Sequence, residues 1–190
     1  RYGLNPQMRH GSDVMTRLLS ASGSTERACA MSRQVVEAIS EALFDIAARE
    51  GIVTERVVRL IVVGNTAMLA LLSGHNYDLL LQPDHWMRPV DCLPSRPDLW
   101  AVPLGIHPRA QIEVIAPLAG FVGSDLLVGL MRTHLIENGP GGLFIDFGTN
   151  SEMALWDGRV LRVTSAAGGP AFEGSGIGCG APADPGAIYR

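Results

Sequence analysis

Asp146-Phe147-Gly148-Thr149-Asn150 brings a carboxylate, a glycine and two short polar side chains together in five residues. Apolar residues run up to Phe147, and alternation resumes through Glu152, Ala154 and Trp156. That pattern predicts a buried strand, a tight turn and a second strand, with Asp146 at the bend. Phosphate handling is the chemistry that uses such an object. Gly148 lets the backbone approach an anion, successive N–H groups of the turn point at it, and the Thr149 hydroxyl adds a donor, with Asn150 beside it. Asp146 repels a phosphate but can hold a magnesium ion, directly or through its waters, beside one. The same residues also satisfy an ordinary hairpin turn, and at this point both readings stand.

A second set of candidates is Gly64, Asn65 and Thr66. Arg59 to Asn65 reads as a buried strand, and Thr66 to Leu72 as a short apolar helix stopping at Gly74, capped by Asn65 or Thr66. Ligands of open α/β sheets collect at the carboxyl ends of strands, where these residues lie; capping alone also accounts for them. Gln111 to Ile115 predicts another strand, followed by Gly120, Gly123 and the helix Leu126 to Leu135, for which Asp125 is a capping residue. Gly168 and Gly169 belong to a run of small residues, 164–180, in which Glu173 is the one charge. Such a run lets backbone pass close to a ligand or to another backbone.

The elements that must carry these turns are legible in part. Ser24 to Glu50 has apolar residues at spacings of three and four, with Ser24 as cap and Gly51 just past the end, and predicts a long helix. Val14 to Leu19 predicts a shorter one, capped by Ser12 or Asp13. Residues 75–110 hold six of the twelve prolines, a density that forbids long helices and central strands. A stretch of that kind is expected to be a lid or a docking surface. Its histidines, His75, His85 and His107, lack the spacing of a metal motif. Arg159 to Thr164, after a turn at Gly158, predicts a third strand antiparallel to the second.

Composition bounds the function. The 190 residues are 47% hydrophobic and 18% charged, enough for one large domain or two small lobes. A net charge of −4 offers no basic field for nucleic acid. Cys29, Cys92 and Cys179 form no disulfide framework and no CxxC knuckle, which fits a reducing cytoplasm. No leader opens the chain and no apolar run approaches the roughly 18 to 20 residues that span a bilayer, so no membrane partner is expected.

Five motifs in order resemble one family. They are Asn5-Pro6-Gln7 with Gly11-Ser12-Asp13-Val14; Val63-Gly64-Asn65-Thr66-Ala67-Met68; Ala116 to Asp125; Asp146-Phe147-Gly148-Thr149-Asn150-Ser151-Glu152; and Ser165 to Gly174. Together they resemble the C-terminal domain of the reductive activators of corrinoid proteins. The resemblance implies an α/β fold of the actin, sugar kinase and Hsp70 type, ribonuclease H-like and two-lobed, of which this chain is a fragment. On it, residues 1–138 are part of the first lobe with the Pro-rich insert 75–110, and residues 139–190 open the second. It also implies ATP and magnesium as cofactors, a 2Fe-2S cluster in a separate N-terminal domain, and a corrinoid protein as partner, reduced from Co(II) to Co(I). The first phosphate loop is expected upstream of Asn5 and the adenosine segment downstream of Arg190. Ser151 stands where the family usually has glycine, and Gly168-Gly169-Pro170 where it usually has one small residue before proline.

On this reading Asp146 and Asn65 carry the catalytic role, and Gly148, Thr149, Asn150, Gly64, Thr66, Gly168 and Gly169 bind the nucleotide. A small-molecule kinase or other ATPase of the same fold is the alternative. It needs a base where Asn65 stands, and an amide cannot take a proton. A non-catalytic interaction module is the third reading, and strand exchange into a homodimer is one way for the strand at Arg59 to obtain a neighbour.

Overall fold

The computed structural model describes residues 5–11, 13–148 and 150–167. Two compact units divide the chain, Arg1–Val128 and Gly129–Arg190.

In the first unit, Asn5 caps a 3-10 turn over Pro6–His10, and Asp13 caps helix α1, Val14–Ser22, its side chain accepting from Thr16 N. Helix α2, Thr25–Glu50, begins where the Ser24 hydroxyl accepts from Arg27 N. It ends at Gly51, whose φ of +65° is the left-handed conformation that a glycine adopts without strain. Strand β1, Arg59–Val62, leads into α3, Thr66–Ser73, and strand β2 is Gln111–Val114. β1 and β2 are parallel, with Leu60 opposite Ile112 and Val62 opposite Val114. Those four side chains face the core, while Arg59 and Glu113 form a solvent-exposed ion pair on the other face. Helix α4, Asp125–Thr133, contains the boundary between the units.

Residues 75–110 contain only 3-10 turns, at Tyr77–Leu81, Pro83–His85 and Pro97–Trp100, as the proline density requires. The expectation of a lid is corrected. Leu80, Val90 and Cys92 join Leu18, Met31 and Leu71 in one core cluster, and Ala101, Leu104 and Ile106 join Val36 and Leu72 in the other. The segment is therefore interior packing, and lifting it would open both clusters. Its outer face still presents Met87, 90% exposed.

In the second unit, β3 (Gly142–Phe147), β4 (Asn150–Trp156) and β5 (Leu161–Ala167) form an antiparallel sheet in sequence order. The sheet packs on α4 through a glycine. A Cβ at Gly129 would lie 2.5 Å from Phe144 Cζ, so the ring occupies the place of a side chain. Ala154 is fully buried on that face, while Leu143, Ile145, Phe147 and Leu155 are exposed on the opposite one.

Element ends differ from expectation for local reasons. α1 continues to Ser22, one turn past Leu19. α4 stops at Thr133 because His134 takes a φ of +53°. β1 stops at Val62, and the next residues bond to a neighbouring loop instead of a strand.

Candidate functional site

In the first unit the loops leaving β1 and β2 are stitched together. Gly64 N–H donates to Ser124 Oγ at 3.2 Å, and Ser124 N–H returns a bond to the Gly64 carbonyl at 3.0 Å. Thr66 is fully buried, and its hydroxyl donates to the Ala119 carbonyl at 2.8 Å. Its side chain thus holds the loop after β2 and does not offer its proton to a ligand. Asn65 caps α3, its Oδ1 accepting from Ala67 N–H at 3.0 Å. That leaves the Asn65 Nδ2 group with no partner among the described residues, at the carboxyl end of β1. Gly123 is glycine because a Cβ would lie 2.3 Å from the Gly64 carbonyl oxygen and 2.6 Å from Asn65 Cα. It serves backbone-to-backbone packing. Gly64 differs, since a Cβ there would meet only Leu69, at 3.6 Å.

At the turn between β3 and β4 the register sets Phe147 opposite Ser151, and Gly148 N–H donates to the Asn150 carbonyl at 2.9 Å. Asp146 is exposed on the last part of β3. Its cross-strand partner is Glu152, and Glu152 in turn pairs with Ser165 on β5. Pleating puts directly opposed residues on one face, so Asp146, Glu152 and Ser165 form a polar row across the sheet. The Ser165 hydroxyl donates to Glu152 Oε1 at 3.1 Å. The sequence reading had no role for Glu152. The signal that was missing is the register: a two-residue turn pairs residues an odd number apart, and only the longer connection that sets Phe147 opposite Ser151 puts Asp146 and Glu152, six apart, opposite each other. Thr149, Gly168 and Gly169 lie outside the described residues.

Magnesium fits this donor set better than a metal that demands a full protein cage. It is commonly held by one or two carboxylates while keeping waters and phosphate oxygens, and Asp146 with Glu152 opposite supplies that number. Among the described residues no group of three His, Cys, Asp or Glu is placed to hold a metal ion. Among the described residues there is also open space beside Gly148. A Cβ there would meet nothing closer than the Asn150 carbonyl oxygen at 3.5 Å, so the fold does not itself require glycine at that position.

Comparison with known proteins gives this geometry its context. Residues 1–138 match the family model of the RACo middle region, and residues 141–190 that of the C-terminal domain of RACo, the ASKHA domain. The chain belongs to the RACo family. Its relatives carry names of one kind. The corrinoid activation enzyme RamQ of Eubacterium limosum is 30% identical over 195 residues, covering 98% of this chain and 31% of its own length. The Co(II) methylated amine-specific corrinoid protein reductase of Methanosarcina barkeri is 34% identical over 140 residues, 70% of this chain and 26% of that protein. A solved reductive activator for corrinoid, iron-sulfur protein superposes with a TM-score of 0.74 at 28% identity, over 94% of this chain and 28% of that one. This RACo chain thus spans about a third of its relatives' length or less. Its fold class is α/β of the ASKHA type. The two RACo family models meet at residues 138–141, whereas the compact units meet at 128/129 inside α4. Among the described residues no helix is long and apolar enough to cross a membrane.

Proposed function

We propose that this chain is the ATP-binding part of a reductive activator of corrinoid proteins. In such a protein nucleotide binding closes two lobes, of which residues 1–138 and 139–190 are portions. The closed state grips a corrinoid partner while an iron–sulfur domain elsewhere in the protein delivers the electron that takes Co(II) to Co(I). The observation that carries the reading is the Asp146-Gly148 turn within a chain of RACo membership. Bound magnesium-ATP would supply the binding energy that biases open against closed, since a ligand shifts a conformational equilibrium by its difference in affinity for the two states.

The chain's own residues divide the work. Asp146, with Glu152 opposite it, would hold the magnesium directly or through its waters, Gly148 would let a phosphate come close to the turn, and Thr149 and Asn150 would donate to its oxygens. Gly64 keeps the first-unit loop open to the ligand, and the resemblance assigns Gly168 and Gly169, which lie outside the described residues, to nucleotide binding. Asn65 has its oxygen committed to Ala67, so only its amide hydrogens remain to orient a water or a phosphate. It cannot remove a proton from a substrate hydroxyl, which disfavours a small-molecule kinase. A reducing cytoplasm suits the free thiols of Cys29 and Cys92.

Asp146→Asn in the full-length protein tests the site, because it removes one charge and keeps the shape. Calorimetry with magnesium-ATP is expected to show affinity reduced about tenfold, the effect of losing roughly 1.4 kcal/mol. The visible spectrum of a corrinoid partner is expected to show slower ATP-dependent Co(I) formation. Unchanged affinity and unchanged turnover return Asp146 to the role of a turn residue.

A further inference from the structure

Arg17 lies on α1 among Leu18 and Ala21, which are fully buried, and is itself only 7% exposed. A guanidinium carries five N–H donors. Nε donates to the Asp13 carbonyl oxygen at 3.1 Å, and Nη1 reaches Met68 Sδ at 3.6 Å. A thioether is a weak acceptor, and a main-chain carbonyl carries no charge. The Asp13 carboxylate caps α1 at Thr16, taking both its N–H and its hydroxyl, and acts on Arg17 only as a nearby charge. Among the described residues no carboxylate makes an ion pair with Arg17. Removal from water destabilises a charge strongly unless a counter-charge meets it, so a cation kept here calls for an anion. Burial accordingly pulls the Arg17 pKa down, with Asp13 opposing the shift.

The position of Met68 says where that anion would sit. It is in the first turn of α3, three residues past Asn65, where the chain leaves the carboxyl end of β1. A helix leaves its first N–H groups without partners inside the helix. Asn65 Oδ1 takes that of Ala67 and the Asn65 carbonyl that of Leu69, which leaves those of Thr66 and Met68 without a partner among the described residues. The buried guanidinium thus touches a residue in the first turn of α3, the helix whose amino end also carries the positive end of its dipole and the Asn65 Nδ2 group, which has no partner among the described residues.

We infer that Arg17 is an anion-binding residue of the first unit and takes a phosphate group at the amino end of α3. The phosphate is assigned to a nucleotide only through the function proposed above; the anion site itself does not depend on it.

The test uses the full-length protein as wild type, Arg17→Met and Arg17→Lys, titrated with magnesium-ATP and separately with inorganic tripolyphosphate. Calorimetry is followed beside the unfolding temperature of unliganded and liganded protein. Arg17→Met is expected to weaken both ligands at least tenfold and to abolish the ligand-induced rise in unfolding temperature. Because it removes a buried charge, it should leave the unliganded unfolding temperature unchanged or raised. A lowered unliganded unfolding temperature with wild-type affinity for both ligands would make Arg17 a packing residue and overturn the inference. If Arg17→Met does not fold, Arg17→Lys decides. It keeps the charge but loses the planar fork, so a fivefold or greater loss of tripolyphosphate affinity supports the site and an unchanged affinity overturns it. Wild-type protein that binds tripolyphosphate through Arg17 but ignores magnesium-ATP would sink the nucleotide reading and leave the anion site. Wild-type protein that binds neither sinks the site.

Discussion

Three glycines separate two kinds of constraint at the level of single residues. Gly123 is required by the fold, since a Cβ would lie 2.3 Å from the Gly64 carbonyl oxygen, and backbone cannot yield as the end of a side chain can. Gly64 and Gly148 would place a Cβ at ordinary contact distances of 3.6 Å and 3.5 Å. Gly123→Ala is therefore expected to destabilise the protein by about 1–3 kcal/mol, the usual range for overpacking. Gly64→Ala and Gly148→Ala should stay within about 0.5 kcal/mol of wild type while weakening magnesium-ATP. Urea unfolding and calorimetry on the three variants check both halves, and a large stability loss at Gly148 would mean that the turn itself needs its glycine. Asp157 makes a pH-dependent prediction. Its carboxylate accepts from Arg162 and from the N–H groups of Val160 and Arg159, which holds its pKa down to about 2. A depressed carboxylate stabilises the fold above its ordinary pKa of about 3.9 and loses that contribution as pH falls toward 2. The difference in urea midpoint between wild type and Asp157→Asn should be present at pH 5 to 7 and shrink from pH 4 to 2. A difference that grows with acid would contradict the assignment.

Legibility differed from one element to the next according to whether a periodic signal existed. α2 could be read because its apolar spacing, the Ser24 cap and the left-handed Gly51 all agree on one helix, and the structure forms it from Thr25 to Glu50. The β3–β4 hairpin could be read from the glycine between two strand patterns, yet its register could not, and with it went the pairing of Asp146 with Glu152. Arg17 carried no sign of burial in its identity, since an arginine on a short helix is ordinarily solvated; only the packing of α1 reveals it. The insert misled for a similar reason. Proline excludes regular structure but says nothing about burial, and 3-10 turns have no period from which an inward face could be inferred. Leu80, fully buried in the Tyr77–Leu81 turn, makes the point testable. Leu80→Ala should destabilise by about 2–5 kcal/mol, as in any well-packed core, measured by urea unfolding. A loss below about 1 kcal/mol would restore the peripheral lid.

The molecule as a whole carries an unfinished edge. Among the described residues β1 pairs with β2 alone, and the Val58 and Val62 carbonyls accept from Gln111 and Ile115. In a parallel ladder alternate residues face the partner, so the N–H and C=O groups of Arg59 and Ile61 point away from β2. Beside that edge runs an apolar groove of about 230 Å³ lined by Val36, Ile39, Ile61, Val63, Trp100 and Leu104. Ile61 is 51% exposed along it, and in the second unit Phe147 is 82% exposed on the open face of the sheet. A two-stranded sheet is marginal on its own, and a free apolar edge is a template for another strand. The relatives are about three to four times as long as the stretch they share with this chain, which leaves ample polypeptide to cover such surfaces. Residues 1–190 expressed alone should therefore associate with one another, by strand exchange into a homodimer or by larger assembly, in a concentration-dependent way. They should also bind magnesium-ATP far more weakly than the full-length protein, because the relatives are about three to four times as long as the shared stretch and these residues supply only part of the proposed cleft. Sedimentation velocity across a concentration series, followed by calorimetry with magnesium-ATP, measures both. A monodisperse monomer that binds magnesium-ATP as tightly as the full-length protein would show that the edge is tolerated in water and that the nucleotide site is complete within these residues.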